Sequence, residues 1–154
     1  MPETPVELSI VMPAYNEEVA IAAAVDDILT HVVPAVASAE IVVVNDGSKD
    51  RTLAILHEIA AREPRLTVIN RVNGGHGPAL ITGLDAARGE TLLLLDSDRQ
   101  IVLDDFAAAW AAYRTGDALI GIRADRHDGP LRAVISRGMR IVLRVLFGKA
   151  PRDP

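Results

Sequence analysis

The sequence predicts an α/β fold in which a mostly parallel sheet carries helices on both faces. Short apolar runs rich in valine, isoleucine and leucine alternate with segments whose apolar residues recur at helical spacing. The apolar runs lack the polar alternation of a half-exposed sheet, as is typical of parallel strands covered on both sides. Strands that alternate with helices of about 10 to 15 residues indicate right-handed crossovers between parallel strands.

Each predicted strand is a short apolar run that ends at a proline or at polar residues. We predict five strands, at Glu7–Met12, Glu40–Val44, Leu66–Asn70, Leu92–Leu95 and Ala118–Ile122. Four consecutive leucines make the fourth run the most apolar, so we expect it to be a central strand.

The predicted helices have polar starts and clear ends. Asn16 is expected to cap the first helix, with Glu17 and Glu18 in its first turn, and Ser48 to cap the second. Pro78 suits the first position of the third helix. The ends are expected at Pro34, before Pro64, and at Gly89 as a left-handed cap. Two further helices are predicted at about Asp104–Thr115 and at Leu131–Phe147.

Length and composition favour one soluble domain. At 154 residues, roughly 70% of the unfolded chain's surface can be buried. The net charge is −5, and the first hundred residues contain no basic stripe, which argues against a nucleic-acid partner. The absence of cysteine excludes disulfides and thiolate metal sites. No apolar run approaches the roughly 20 residues that span a bilayer. We therefore expect a cytoplasmic domain.

Acidic and amide residues follow successive predicted strands. Asn16 and Glu17 follow the first strand, Asp46 the second, and Asp96 and Asp98 the fourth. In open α/β sheets, ligands bind beyond the carboxyl ends of the strands, so these residues are candidates for one site. Taken singly, each is at least as compatible with an ordinary cap or turn.

The stretch Thr91–Gln100, TLLLLDSDRQ, is the most informative part of the chain. If the backbone stays extended, Asp96, Asp98 and Gln100 point to the same side, because side chains alternate along a strand. Oxygen ligands of this kind suit Mg²⁺, whose shell is completed by substrate phosphates. An isolated D-x-D is equally compatible with an acidic turn.

Several common nucleotide and catalytic motifs are absent. The first strand is followed by PAYNE, at residues 13–17, where a dinucleotide-binding domain needs G-x-G-x-x-G. The chain contains no P-loop, no H-E-x-x-H and no G-x-S-x-G.

Four segments together resemble the family 2 glycosyltransferases of GT-A fold, a three-layer sandwich. They are SIVMPAYNEE (9–18), EIVVVNDGSKDRT (40–52), NGGHGPAL (73–80) and LLLLDSDRQ (92–100). They cover most of the first hundred residues in the family's order and spacing. The resemblance implies a nucleotide-sugar-binding domain over residues 1–154, with Mg²⁺ or Mn²⁺ as cofactor and a UDP- or GDP-sugar as donor.

The resemblance also implies roles for individual residues. Asp96 would lie near the ribose or sugar, and Asp98 would ligate the metal that bridges the diphosphate. Asp46 would hydrogen-bond the base. The residues expected to cradle the nucleoside are Pro13, Ala14, Tyr15 and Glu17. The implied reaction inverts the anomeric carbon. Arg71 and His76 lie in a loop expected to close over the donor.

Within the family, the pattern Asp96-x-Asp98-x-Gln100 resembles the polyprenyl-phosphate, dolichyl-phosphate-mannose-synthase-like branch. In that branch, Gln100 would be a further metal ligand. The residues that match phosphate-contacting positions are Arg123, Arg132 and Ser136. A phosphate acceptor is mostly ionised at neutral pH, since its second pKa is about 6, and needs no catalytic base. Arg132 is also compatible with a solvated surface charge.

The last predicted helix interleaves arginines with apolar residues. It is expected either to lie at a membrane interface, which would make the protein peripheral at the inner membrane face, or to mediate dimerisation. We expect the domain to lack the C-terminal part of the acceptor region. The alternatives are transfer to a saccharide hydroxyl with a base beyond Pro154, a nucleotide-sugar-binding domain without transferase activity, and a nucleotidyltransferase. The last of these would need a basic, glycine-rich first loop, which the chain lacks.

Overall fold

The computed structural model describes residues 5–113, which form a parallel sheet flanked by helices. The strands are Leu8–Ala14 (β1), Ala39–Asp46 (β2), Leu66–Arg71 (β3) and Thr91–Leu94 (β4), in the order β3-β2-β1-β4. The helices are Ile21–Asp27 (α1), Thr52–Ala60 (α2), His76–Ala86 (α3) and Phe106–Tyr113 (α4). A π-helical turn, Ile28–Val32, and a 3₁₀ turn, Val33–Ala35, continue α1. All the paired strands run parallel. The predicted α/β class is therefore confirmed.

Alternate residues of the sheet serve two separate apolar layers. Ile10 and Met12 of β1 belong to the larger cluster, which takes in residues of α1, α2 and α4. Val42 and Val44 of β2 face the other way and pack with Ala79 of α3. Helices thus lie on both faces of the sheet, as predicted.

The predicted central position of the fourth strand stays a prediction, because the predicted fifth strand lies outside the described residues. β4 lies at the end of the described sheet, and β1 and β2 occupy its middle. Leu93 and Leu95 pack on the larger cluster, whereas Leu92 and Leu94 are 48% and 47% exposed.

Two predicted helix caps are wrong. The residue preceding α1 is Ala20 and that preceding α2 is Arg51, and neither makes a side-chain capping bond. Asn16 and Ser48 instead join the loops that follow β1 and β2, through a hydrogen bond from the Asn16 amide to Ser48 Oγ (3.0 Å). Glu17 and Glu18 accordingly precede the helix.

The third helix also differs from the prediction at both ends. α3 begins at His76, so that Pro78 is its third residue, and it ends at Ala86. Gly89 does not have a left-handed φ; it is needed because a Cβ there would lie 2.5 Å from the Ser9 amide nitrogen. The predicted fifth strand and the helix at Leu131–Phe147 lie outside the described residues.

The two edges of the sheet have different chemistry. At the amino edge, the buried Glu40 accepts hydrogen bonds from Ser9 Oγ (2.6 Å) and from the Arg88 backbone, Nε and Nη2 (2.6, 2.9 and 2.8 Å). At the carboxyl edge, Ala14 is level with Asn45, and Asp46 is level with Arg71. Among the described residues, no helix is long and apolar enough to cross a bilayer.

Candidate functional site

A cavity of about 420 Å³ lies at the carboxyl edge of the sheet. Its walls come from the carboxyl ends of β1 and β2, from the segments that follow β1, β3 and β4, and from the start of α3. The lining residues are Pro13, Ala14, Tyr15, Glu17, Asp46, Asn73, Gly75, His76, Ala79, Asp96, Ser97 and Asp98. The cavity therefore lies where open α/β sheets bind their ligands.

The loops after β1 and β2 are joined by backbone-to-side-chain hydrogen bonds. Asn16 Oδ1 accepts from the Lys49 amide (2.8 Å), and Thr52 Oγ1 accepts from the Glu17 amide (2.8 Å). Asn16 has a φ of 56°, a conformation that asparagine tolerates better than most residues. These bonds fix the backbone at Asn16 and Glu17.

Glu17 lies in an acidic environment. Burial raises the pKa of its carboxyl group, and the negative charges of Asp98 and Asp50 raise it further. Glu17 and Asp98 both line the cavity. A positive charge between them would relieve this repulsion.

Asp46 anchors the loop formed by residues 71–77. Asp46 is 3% exposed, and its carboxylate accepts hydrogen bonds from the Gly74 amide (3.0 Å) and the Gly75 amide (2.8 Å). Arg71 Nη1 lies 3.2 Å from Asp46 Oδ1, but its orientation is not that of a hydrogen bond, so this contact is an ion pair. Arg71 packs beneath Gly74 and does not line the cavity. Asn73 donates to the Asp46 backbone carbonyl (2.8 Å).

The start of α3 faces the cavity. Gly75 precedes this helix with a φ of 91°, which strongly favours glycine, and His76 and Ala79 of its first turn line the wall. Unpaired amides and the positive end of the helix dipole make such a terminus favourable for anionic groups.

The two aspartates after β4 lie in a turn, defined here as the aspartate turn, residues 96–100. Asp96, Ser97 and Asp98 line the cavity, but the backbone turns at Ser97 and Asp98. Asp98 Oδ1 accepts a hydrogen bond from the Gln100 amide (3.0 Å), and Arg99 has a φ of 58°. The assumption of an extended backbone is therefore wrong. As a result, Gln100 is not part of the cavity lining.

The donor set suits a cation that shares its shell with a phosphate-bearing ligand. No group of three or more histidine, cysteine or acidic residues in residues 5–113 could enclose a metal ion. Asp96 and Asp98 nevertheless present carboxylates to one cavity. Mg²⁺ is usually bound through one or two carboxylates, with substrate phosphates and water completing its octahedron. The residues present fit that mode and do not fit a site made of protein ligands alone.

The cavity brings together most of the residues proposed from sequence. Those in its walls are Pro13, Ala14, Tyr15, Glu17, Asp46, Asp96 and Asp98. Arg123, Arg132 and Ser136 lie outside the described residues. Sequence reasoning missed Asn73, Ala79 and Ser97, although all three lie within segments that carried the family resemblance, which was the available signal.

Comparison with known proteins identifies related sequences over nearly the whole chain. The profile of Glycosyl transferase family 2 matches residues 9–149. A dolichyl-phosphate beta-glucosyltransferase of Trichomonas vaginalis is 36% identical over 158 aligned residues, a match that covers 93% of this chain and 49% of that relative. The chain thus spans about half of the relative's length.

Two solved structures match with bound donor nucleotides. Mannosyltransferase PcManGT from Pyrobaculum calidifontis, in complex with GDP-Man and Mn²⁺, is 28% identical with a TM-score of 0.62, over 73% of this chain and 33% of that one. S. aureus TarS in complex with UDP-GlcNAc is 31% identical with a TM-score of 0.61, over 71% of this chain and 31% of that one.

Proposed function

The chain belongs to glycosyltransferase family 2 and has a GT-A fold, and we propose that it transfers a sugar from a nucleoside diphosphate to a polyprenyl phosphate. The observation that carries this proposal is the single cavity shared by the nucleoside-loop residues and the two aspartates. Its volume of about 420 Å³ falls within the usual range for small-molecule sites. The dolichyl-phosphate acceptor in the name of the Trichomonas relative supports the polyprenyl branch.

The nucleoside is proposed to lie against the loop after β1. Tyr15, 43% exposed, provides an aromatic side chain at the cavity, and Pro13 and Ala14 provide an apolar floor. Asp46 is proposed to hydrogen-bond the base. A carboxylate has about four acceptor positions, so the bonds to Gly74 and Gly75 leave capacity for such a contact.

A divalent cation, Mg²⁺ or Mn²⁺, is proposed to be held by Asp98 with Asp96 beside the sugar or ribose. When bound, it supplies Lewis-acid neutralisation of the charge on the diphosphate. PcManGT, which binds GDP-Man with Mn²⁺, supports this assignment. A role for Gln100 as a further ligand would require its side chain to turn toward the cavity.

The proposed reaction is a single displacement. An oxygen of the acceptor phosphate forms the new bond to the anomeric carbon as the bond to the diphosphate breaks. The bonding electron pair leaves with the diphosphate, and the configuration of the carbon inverts. An ionised phosphate needs no proton removed, which is consistent with a site that contains no assigned base. The proposed contacts to phosphate are Arg123, Arg132 and Ser136. The protein is proposed to be peripheral at the membrane.

The donor half of the proposal is tested by calorimetry. UDP-glucose and GDP-mannose are titrated into the protein with Mn²⁺, with Mg²⁺ or with EDTA. We expect one donor to bind with the metal and to lose most of its affinity in EDTA and in Asp98→Asn. Asp85→Asn, the same change at an exposed position on α3, is the control. Full affinity in Asp98→Asn would refute the metal assignment.

The acceptor half is tested by comparing a short prenyl phosphate with the corresponding prenyl alcohol. Transfer to the phosphate alone supports the proposal. Transfer to the alcohol would instead favour a hydroxyl acceptor. Donor binding without any transfer would assign this chain a nucleotide-sugar-binding role.

A further inference from the structure

We infer that the ion pair between Asp27 and Arg99 holds the aspartate turn in the geometry that binds the cation. Arg99 is then a positioning residue that acts through Asp98. The inference rests on the proposed function, because it concerns the metal that Asp98 is proposed to bind.

The first observation is the backbone of Arg99. Arg99 has a φ of 58°, and among the non-glycine residues described only Asn16 also has a positive φ. Asparagine tolerates this region, and Asn16 is further held by its side-chain bond to the Lys49 amide. Arginine has no such intrinsic tolerance, so the conformation of Arg99 requires support from elsewhere in the structure.

The second observation supplies that support. Arg99 Nε lies 2.7 Å from Asp27 Oδ2, and Arg99 Nη2 lies 3.4 Å from Asp27 Oδ1. The two planar groups thus meet through two contacts, which restricts orientation more than a single contact would. Asp27 is the last residue of α1, a helix whose Val25 and Ala24 are buried against the sheet. A turn after β4 is thereby tied to a rigid element.

The third observation connects the pair to the proposed ligands. Arg99 lies between Asp98 and Gln100, whose backbone amide donates to Asp98 Oδ1, so a shift of the backbone at Arg99 would move both ends of that hydrogen bond. Asp96 lines the main cavity and also a second, small cavity of about 20 Å³ that Asp27 and Arg99 line. The ion pair and Asp96 therefore border the same small cavity.

The exposure of the pair indicates positioning more than overall stability. The Arg99 and Asp27 side chains are 48% and 30% exposed. Exposed ion pairs contribute little to global stability, because water and salt screen them. Such a pair can still select one conformer of a short turn, and the apparent metal affinity scales with the population of that conformer.

The experiment measures Mn²⁺ affinity by electron paramagnetic resonance, in the presence of saturating UDP or GDP, whichever binds the unmodified protein. Asp27→Asn and Arg99→Gly are expected to weaken Mn²⁺ binding by about three- to tenfold. Arg99→Gly keeps the left-handed conformation available, so it separates the ion pair from backbone strain. Nucleotide affinity in EDTA and the melting temperature are expected to stay near the unmodified values. The double exchange Asp27→Arg with Arg99→Asp is expected to recover affinity.

Arg65→Gly is the matched control, because Arg65 makes a two-contact pair with Glu63 (2.7 and 2.8 Å) away from the cavity. It is expected to leave Mn²⁺ binding unchanged. Unchanged Mn²⁺ affinity in Asp27→Asn and Arg99→Gly, with binding abolished in Asp98→Asn, would overturn the inference and leave the proposed function intact. Retained affinity in Asp98→Asn would remove the premise itself. An equal loss of metal-free nucleotide binding would also overturn it, since that is the result of a merely structural role.

Discussion

Replacement of Asp46 by asparagine is the most direct test of how the loop of residues 71–77 is held. The change preserves the shape of the side chain but replaces one carboxylate oxygen with an amide nitrogen, which cannot accept a hydrogen bond. If Oδ2 is replaced, the Gly75 amide loses its 2.8 Å bond and faces a donor. If Oδ1 is replaced, the Gly74 amide loses its 3.0 Å bond. In both orientations Arg71 loses the negative charge of its partner. Either orientation weakens the anchor.

The expected size of the effect follows from the chemistry of the lost contact. A hydrogen bond to a charged group contributes about 1.5–3 kcal/mol when its partner is buried, and Asp46 is 3% exposed. Since each 1.4 kcal/mol is a factor of ten, opening of the loop should become roughly 10- to 100-fold more frequent. The free energy of global unfolding should change less, because the loop is at the edge of the fold.

Hydrogen exchange of the Gly74 and Gly75 amides, measured without nucleotide, reports this opening directly. We expect their protection in Asp46→Asn to fall by the factor given above, while amides of β1 and β2 keep theirs. Because Gly75 and His76 line the cavity, nucleotide affinity should fall as well. Asp85→Asn serves as the control at an exposed position. Unchanged protection at both glycines would refute the anchoring role, whatever happens to nucleotide affinity.

Three further predictions concern the rest of the fold. Glu40→Gln should destabilise the protein by about 2 kcal/mol at neutral pH, since the amide cannot accept all the bonds from Ser9 and the partly exposed Arg88. Burial opposes the shift, but the hydrogen bonds from Ser9 and Arg88 lower the pKa of Glu40. The stabilisation is therefore fully present above the ordinary glutamate pKa and is lost as the pH falls through the lowered pKa. In urea unfolding, the difference in stability between the two proteins should be smaller at pH 3 than at pH 7, and an equal difference at both would contradict this. Gly83→Ala should destabilise the protein by about 1 kcal/mol, because overlap of the new Cβ with Val11 outweighs the gain in helix propensity. Gly77→Ala, which has open space around it, should not destabilise the protein. Thermal melts of both variants test this difference. Asp98→Asn should lower the pKa of Glu17 by removing a like charge, and a side-chain carboxyl NMR titration that shows no decrease would contradict the electrostatic description.

The sequence was sufficient to predict the class of fold and which residues after the strands would line one cavity. The tendency of a short apolar segment to form a strand is a local property of the sequence. Four of the predicted apolar runs accordingly correspond to β1–β4 within a few residues. The carboxyl ends of parallel strands share an edge, which is why Glu17, Asp46 and Asp98 could be placed together without knowledge of strand order. Inference of this kind needs only element type and direction.

The sequence was not sufficient where a side chain had two competing partners. Asn16 and Ser48 have the chemistry of helix caps, yet they bond across two loops that are 32 residues apart. The prediction that Asp96, Asp98 and Gln100 point to the same side was wrong for a related reason. That prediction relied on the alternation of side chains along an extended backbone, whereas Arg99 adopts a left-handed conformation and pairs with Asp27, 72 residues away. Both outcomes depend on tertiary contacts that no local pattern reports.

The electrostatics of the cavity explain why metal and nucleotide binding should depend on each other. Burial and the charges of Asp98 and Asp50 already disfavour ionisation of Glu17, before a diphosphate brings further negative charge. The nearby arginines in the described part of the chain are engaged, Arg71 with Asp46 and Arg99 with Asp27. The partial charge at the start of α3, about half a unit, is too small to balance a diphosphate. Within residues 5–113, a cation that arrives with the nucleotide is therefore the expected source of the balancing charge, to which the proposed phosphate contacts Arg123 and Arg132 would add. By linkage, the cation raises nucleotide affinity by the same factor as the nucleotide raises that of the cation.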